Sequence, residues 1–244
     1  MSAHPCVWNL PPTELNLGEG EVHIWRASLD LPPDHTAMLS ATLPTQEQQR
    51  AARFHFEDDR RRFVAGRGLL RAILGRYLRL TPDELEFSEG EYGKPALVAD
   101  VGIRFNLAHS DGLALYAVAH AELGIDLELV RSIAESVQIA ERYFSHRERA
   151  AFNYPSREEE GVAFLRQWTR KEAYLKARGS GLSLEPSEVE VLPNRDGSMR
   201  VEIAAEPGEA ERWSLVDLTV SEGYVAALAI EGHNWKLRCF RWED

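Results

Sequence analysis

Cysteine is scarce in this chain. Of 244 residues only Cys6 and Cys239 are cysteines, far apart and in no metal-ligand spacing. A disulfide framework or a zinc site is therefore not expected, and a reducing cytoplasm fits. Hydrophobic residues make up 44% of the chain, yet no apolar run approaches the ~20 residues needed to cross a bilayer. No membrane is expected as a partner. Met1 to Leu10 lacks the basic flank and apolar stretch of a signal peptide. Positive charge is also in short supply: 28 Lys and Arg stand against 39 Asp and Glu, a formal net charge of −11. So acidic a chain is a poor general binder of nucleic acid. Low-complexity tracts and fixed-period repeats are absent too. The length suffices for one large domain or two small ones with a real core.

The basic residues that exist are concentrated. Nine arginines lie between Arg50 and Arg79. They read either as a solvated helix face or as a local anion site, one better suited to a small polyphosphate than to a duplex. The order of elements is mixed. Val22 to Leu29 reads as a strand, Thr45 to Phe56 as a short polar helix, and Asp59 to Leu80 as a long helix with apolar Phe63, Leu70, Ile73, Leu74, Tyr77 and Leu78. Ile103 to Ala108 and Leu113 to Ala119 read as strands around a His109–Gly112 turn. Leu123 to Val130 is a further strand and Ser136 to Phe144 a helix. Ser145 and Glu148 have capping-box spacing. Glu158 to Arg178 reads as a long helix stopped by Gly179. Alternating strands follow, the last over Trp235 to Trp242. Long helices and antiparallel strands in each half imply an α+β fold of two subdomains, 1–120 and 121–244, divided near His120 to Glu122.

The chemistry concentrates in two segments. In Leu123-Gly124-Ile125-Asp126-Leu127-Glu128-Leu129, side chains alternate across the strand, so Gly124, Asp126 and Glu128 share one face. Paired carboxylates there suit a hard cation such as Mg²⁺, or simply a wet outer face. On the long helix, Trp168, Glu172 and Lys176 are spaced i, i+4, i+8 and share one stripe. Glu172 followed by Lys176 is also the favourable order for a plain helical ion pair.

Together the motifs resemble the 4′-phosphopantetheinyl transferase superfamily, in its two-subdomain, Sfp-type branch. Gly124-Ile125-Asp126-Leu127-Glu128 is similar to the family's Gly-x-Asp-x-Glu strand. Trp168 through Leu182 matches Trp-x-x-Lys-Glu-x-x-x-Lys-x-x-Gly-x-Gly-Leu at every fixed position. Gly93-Lys94-Pro95 resembles the Gly-Lys-Pro turn, and Phe105-Asn106-Leu107-Ala108-His109-Ser110 the Phe-Asn-x-Ser-His-Ser loop. The chain departs at Ala108, where the family has Ser, and at Glu47, where it has Lys.

The resemblance implies two similar subdomains in pseudo-twofold arrangement, each a long helix on an antiparallel sheet, with the active site between them in a monomer. It implies transfer of the phosphopantetheine arm of coenzyme A to a serine of an apo acyl or peptidyl carrier protein, from fatty-acid, polyketide or peptide synthases, with release of 3′,5′-ADP. Asp126, Glu128 and Glu172 are the implied ligands of Mg²⁺ or Mn²⁺, and Glu172 and Lys176 the catalytic pair. Arg62, Lys94 and His109 are implied to hold the 3′-phosphate and adenine end of coenzyme A, with Pro95 in the same turn. The backbone of Ala108, Arg50 and Arg53 in place of the missing lysine, Lys171 beside the site, and Lys176 on the pyrophosphate complete the set. Ser136 to Phe152, with Tyr143, Phe144 and Phe152, is the candidate landing area for the carrier.

Overall fold

The computed structural model describes residues 4–90, 93–131, 136–150, 157–179 and 184–243. In chain order the elements are β1 (Trp8–Asn9), β2 (Glu21–Ser28), α1 (Pro33–Ala41), α2 (Thr45–Ala51), α3 (Glu57–Leu78), β3 (Phe87–Glu89), β4 (Pro95–Leu97), β5 (Arg104–Ser110) and β6 (Leu113–Ala119). The second half adds β7 (Leu123–Leu129), α4 (Ser136–Tyr143), α5 (His146–Ala150), α6 (Arg157–Arg178), β8 (Val189–Pro193), β9 (Met199–Ile203), α7 (Glu209–Arg212), β10 (Trp213–Leu218), β11 (Tyr224–Glu231) and β12 (Lys236–Arg241). This is the mixed α+β architecture expected, with helices packed on sheets.

Two five-stranded sheets form, ordered β1-β12-β2-β6-β5 and β7-β11-β10-β9-β8. Their facing sides carry Val22, Ile24, Leu115 and Ala117 from the first sheet and Leu123, Ile125, Leu127, Leu228 and Ile230 from the second, all essentially without solvent contact. Each Val, Leu or Ile among them contributes about 1.5–3 kcal/mol relative to exposure. On the far side of the first sheet, the α3 stripe Ala65, Leu69, Leu70, Ile73 and Leu74 packs on Trp25, Phe105 and Tyr116. On the far side of the second, Ala173, Tyr174, Leu175 and Ala177 of α6 pack on Val189, Val201, Trp213 and Ala227. The layers therefore run helix, sheet, sheet, helix. Cys6 and Cys239, 233 residues apart in sequence, meet in the inter-sheet core as free thiols.

Local chemistry sets the element ends. Glu57, Asp58 and Asp59 occupy the first turn of α3, where the helix dipole favours negative charge. Arg79 closes that helix in the left-handed conformation, and Leu80 N–H returns to Gly75 O. The Ser145–Glu148 capping box is reciprocal: Ser145 N–H donates to Glu148 Oε2 at 2.8 Å and Glu148 N–H to Ser145 Oγ at 3.2 Å. Three expectations shift. The Thr45 helix stops at Ala51 rather than Phe56. His109 and Ser110 belong to β5, and the tight turn begins at Asp111, with φ 52°. The last strand, β12, does not stay with its half: it lies parallel to β2 in the first sheet, which is therefore mixed rather than antiparallel. No helix among the described residues is long and apolar enough to cross a membrane.

Candidate active site

Strand β7 forms one edge of the second sheet and runs beside β5, the edge of the first. Its Gly124, Asp126 and Glu128 face α6, not water. A Cβ on Gly124 would lie 2.1 Å from Ala173 O, so only glycine lets α6 come this close. The wet outer face considered for this strand is thus excluded at Asp126, which is 5% exposed. Farther along, Glu128 is half-buried.

Helix α6 brings Glu172 and Lys176 over this face. The alternative of a surface Glu172–Lys176 ion pair does not describe Lys176, whose Nζ donates to Asp126 Oδ1 at 2.6 Å across to β7. Burial pushes the Asp126 carboxyl up to about 7. Lys176 pulls it back down, while Glu172 and Glu128 push it further up. Glu172 is raised as well, first by burial and then by Glu128 against an opposing Lys176. The three carboxylates therefore sense one another's charge. Asp126 Oδ2 is buried with no hydrogen-bond partner among the described residues, a costly state unless a donor or cation satisfies it. Hard oxygen donors of this kind suit a small divalent cation. The expected triad is nevertheless not converged: among the described residues no three His, Cys, Asp or Glu side chains come together closely enough to hold a metal ion. Lys176 supplies the local positive charge on Asp126 instead.

Glu172 and Lys176 line a cavity of about 490 Å³ with Lys94, Asn106, Leu107 and Pro186. Across Lys94 and Pro95 lies a second cavity of about 450 Å³, walled by Arg104, Glu122 and Arg178. Pro95 also borders a third, of about 750 Å³, with Glu47, Arg50, Arg67 and Arg71. The Gly-Lys-Pro turn is thus the partition among all three.

The remaining expected residues divide. His109 is exposed at the end of β5. Crowding by surrounding protein, then the nearby Lys176 and Arg62 charges, hold its imidazole pKa below the ordinary value against the pull of Glu128. Arg62 is gripped by Asp30 through Nε at 2.7 Å and Nη2 at 3.1 Å, and by Asp111 through Nη1 at 2.7 Å. Lys94 Nζ donates to Leu123 O at 3.1 Å, Ala177 O at 3.2 Å and Glu122 Oε2 at 3.4 Å, so it already ties the end of α6 to the junction of the halves. Arg50 lines the third cavity, and Arg53 is exposed beyond the end of α2.

One assignment needs correction. Lys171 does not stand beside the site. It is 1% exposed, and Nζ donates to Tyr143 O at 2.7 Å, Glu148 Oε2 at 2.9 Å and Pro186 O at 2.9 Å. An ammonium has three N–H donors, and all are used. Glu148 in turn accepts from Ser145 N–H, Lys171, Gln167 and Val191 N–H. Ala108 is buried in the inter-sheet core, so any contact it makes to a ligand would come from its backbone N–H, as the resemblance implies. As for the carrier landing area, Phe144 is buried and Tyr143 packs against Trp168. Phe144 is a core residue and Tyr143 is partly buried against that core, while Phe152 lies outside the described residues. Asn106 and Ser110, part of a quoted motif but given no role, turn out to bond across the junction between the sheets. Their i, i+4 spacing on one strand face was the available signal.

A family profile described as the 4′-phosphopantetheinyl transferase superfamily matches residues 122–229, and one described as the N-terminal part of 4′-phosphopantetheinyl transferase matches 30–121. The chain is 41% identical to the 4′-phosphopantetheinyl transferase HetI of Nostoc sp. over 94% of its own length and 95% of that protein's. The chain belongs to the Sfp-type 4′-phosphopantetheinyl transferase family. It is thus a transferase. With the transferase Sfp of Bacillus subtilis it shares 30% identity over 65% of this chain and 70% of the relative. Among solved structures, a holo-ACP-synthase from Plasmodium yoelii aligns with 47% of this chain and 96% of its own, at 17% identity and a TM-score of 0.38.

Proposed function

We propose that this phosphopantetheinyl transferase moves the arm of coenzyme A to a serine of an apo acyl or peptidyl carrier protein, in the cytoplasm and as a monomer. The carrying observation is that α6 lays Glu172 and Lys176 over the face of β7 that bears Asp126 and Glu128, with Lys176 bonded to Asp126, beside the cavity that Glu172 and Lys176 line. The serine oxygen attacks the β-phosphorus of coenzyme A and forms the new O–P bond. The bond from that phosphorus to the bridging oxygen breaks, and 3′,5′-ADP leaves. Glu172, whose raised pKa makes it a better base than a free carboxylate, takes the serine proton. Lys176 offers its ammonium to the charge that grows on the departing phosphate. Asp126, Glu128 and Glu172, not gathered closely enough in this structure to hold a metal ion, would have to draw together to hold Mg²⁺ or Mn²⁺, and such an ion would supply further positive charge to the pyrophosphate. His109 and Arg62 would hold the 3′-phosphate end of coenzyme A, Arg62 by exchanging an aspartate for a phosphate. Lys94 and Pro95 wall the cavity, and Arg50 and Arg53 lie farther off.

The test is transfer itself. The protein is incubated with coenzyme A, Mg²⁺ and apo acyl and peptidyl carriers, and intact mass reports the added arm. Glu172→Gln is expected to slow transfer at least about a hundredfold, the lower range for loss of a general base, and excess chelator to abolish it. A wild-type rate in the variant removes Glu172 from the chemistry.

A further inference from the structure

The two sheets meet at β5 and β7 without sharing a backbone ladder. Side chains bridge them instead. Asn106 Oδ1 accepts from Ile125 N–H at 2.9 Å, and Ser110 Oγ accepts from Leu129 N–H at 3.1 Å. Both rungs join residues nineteen apart in sequence, so the strands run in the same direction at constant register. Ser110 does a second thing that Asn106 does not: its hydroxyl donates to Glu128 Oε2 at 3.0 Å. The directions are forced. An amide N–H only donates and an ionised carboxylate only accepts, so the one serine proton must point at Glu128. One hydroxyl therefore fixes a backbone amide and a carboxylate on adjacent residues of the neighbouring strand.

Glu128 needs such a tether. It is only half-buried on a strand edge, and a free glutamate side chain has several rotamers to lose when it is ordered. Its charge already bears on Asp126 and Glu172. We infer that Ser110 is a positioning residue, which fixes Glu128 from the opposite half of the chain on the β7 face that carries Asp126 and lies under α6, and so makes closure of the carboxylates around a cation depend on correct docking of the two halves. This rests on the reading of that cluster as a divalent-cation site.

The test titrates Mn²⁺ into metal-free protein without coenzyme A, by calorimetry or by the electron paramagnetic resonance of free Mn²⁺. Partners that orient metal ligands change affinity about 10–100-fold when removed. Ser110→Ala is expected to weaken Mn²⁺ binding at least about tenfold, and Ser110→Thr, which keeps the hydroxyl, to stay within about threefold of wild type. Asn106→Ala severs a rung but frees no carboxylate, so it should lower the melting temperature with Mn²⁺ affinity held within about threefold. Should Ser110→Ala not fold, Ser110→Thr against its near-isostere Ser110→Val makes the same comparison in strand-favouring residues. Equal Mn²⁺ affinity in Ser110→Ala and wild type, or equal losses in the Ser110 and Asn106 variants, overturns the positioning role alone. Wild-type protein that takes up no Mn²⁺ overturns the cation-site reading and the positioning role together.

Discussion

Gly124 is where β7 touches α6, and replacing it by alanine tests how finely the site depends on that contact. The added Cβ would sit 2.1 Å from Ala173 O, 2.3 Å from Ala177 N and 2.8 Å from Lys176 C. All three atoms are helix backbone, so no rotamer change relieves the clash. Ordinary contact begins at 3.4 Å, which means the helix must retreat by about 1.3 Å in a core packed to crystal-like density. Overpacking of this kind costs about 1–3 kcal/mol. At the upper end, with about 2–4 °C per kcal/mol for a chain of this size, the melting temperature falls by about 6–12 °C. Function should suffer more than stability does, because the retreating helix carries Glu172 and Lys176 away from Asp126 and Glu128. A misplacement of about 1 Å is enough for a loss of order a hundredfold in rate. Calorimetry and the carrier-loading assay read the two effects. Gly161→Ala is the internal control: it lies on the same helix, a Cβ there meets nothing within 4 Å among the described residues, and alanine adds about 0.8–1.0 kcal/mol of helix propensity. It should melt slightly higher and transfer normally. A Gly124→Ala protein with wild-type melting and turnover would refute the argument from close approach.

Three further outcomes are expected. Lys171→Ala strands Glu148 as a buried, uncompensated carboxylate, at a cost of about 3–5 kcal/mol, while KM for coenzyme A stays unchanged; a raised KM at unchanged melting temperature would return Lys171 to the ligand site. Burial holds the folded-state pKa of Asp126 near 7, against about 4 in the unfolded chain, so between those values the native state binds more protons. Stability of metal-free protein should thus be greatest below about pH 4 as far as this group goes, and decline as pH rises toward 7; Asp126→Asn should flatten that decline in melts across the range. Ala108 sits midway between Asn106 and Ser110, opposite Leu127, whose N–H points to the same strand edge as those of Ile125 and Leu129. Ala108→Ser should add a third rung worth about 0.5–1.5 kcal/mol and raise the melting temperature, whereas a fall would mean the hydroxyl is buried unsatisfied.

The α+β class, the long helices and the carboxylate strand were all legible in the sequence, because periodicity and capping are local signals. The Ser145–Glu148 capping box is the clearest case. What sequence patterning misjudged depended on partners distant along the chain. Alternation on β7 put Asp126 on a face that looked polar and therefore wet, yet α6 covers it. Lys171 and Lys176 look alike as helix cations, but α4, α5 and the turn at Pro186 enclose the first while the second reaches β7. The fate of β12 was equally hidden: its alternation announces a strand, but nothing local says which sheet receives it.

That placement of β12 has a consequence for how the molecule holds together. The two family profiles meet between residues 121 and 122 as though the halves were modules. Yet the chain, having completed the second sheet, returns to lay Lys236–Arg241 against β2, and β1 closes on its outer side. A fragment ending near residue 121 would expose the apolar edge that β12 covers, and the complementary fragment would carry an orphan strand. The return strand works as a clasp. It makes unfolding of either half a loss for both, so the molecule should melt in one cooperative transition, and it resists any hinge that would part β5 from β7 and pull the catalytic face open.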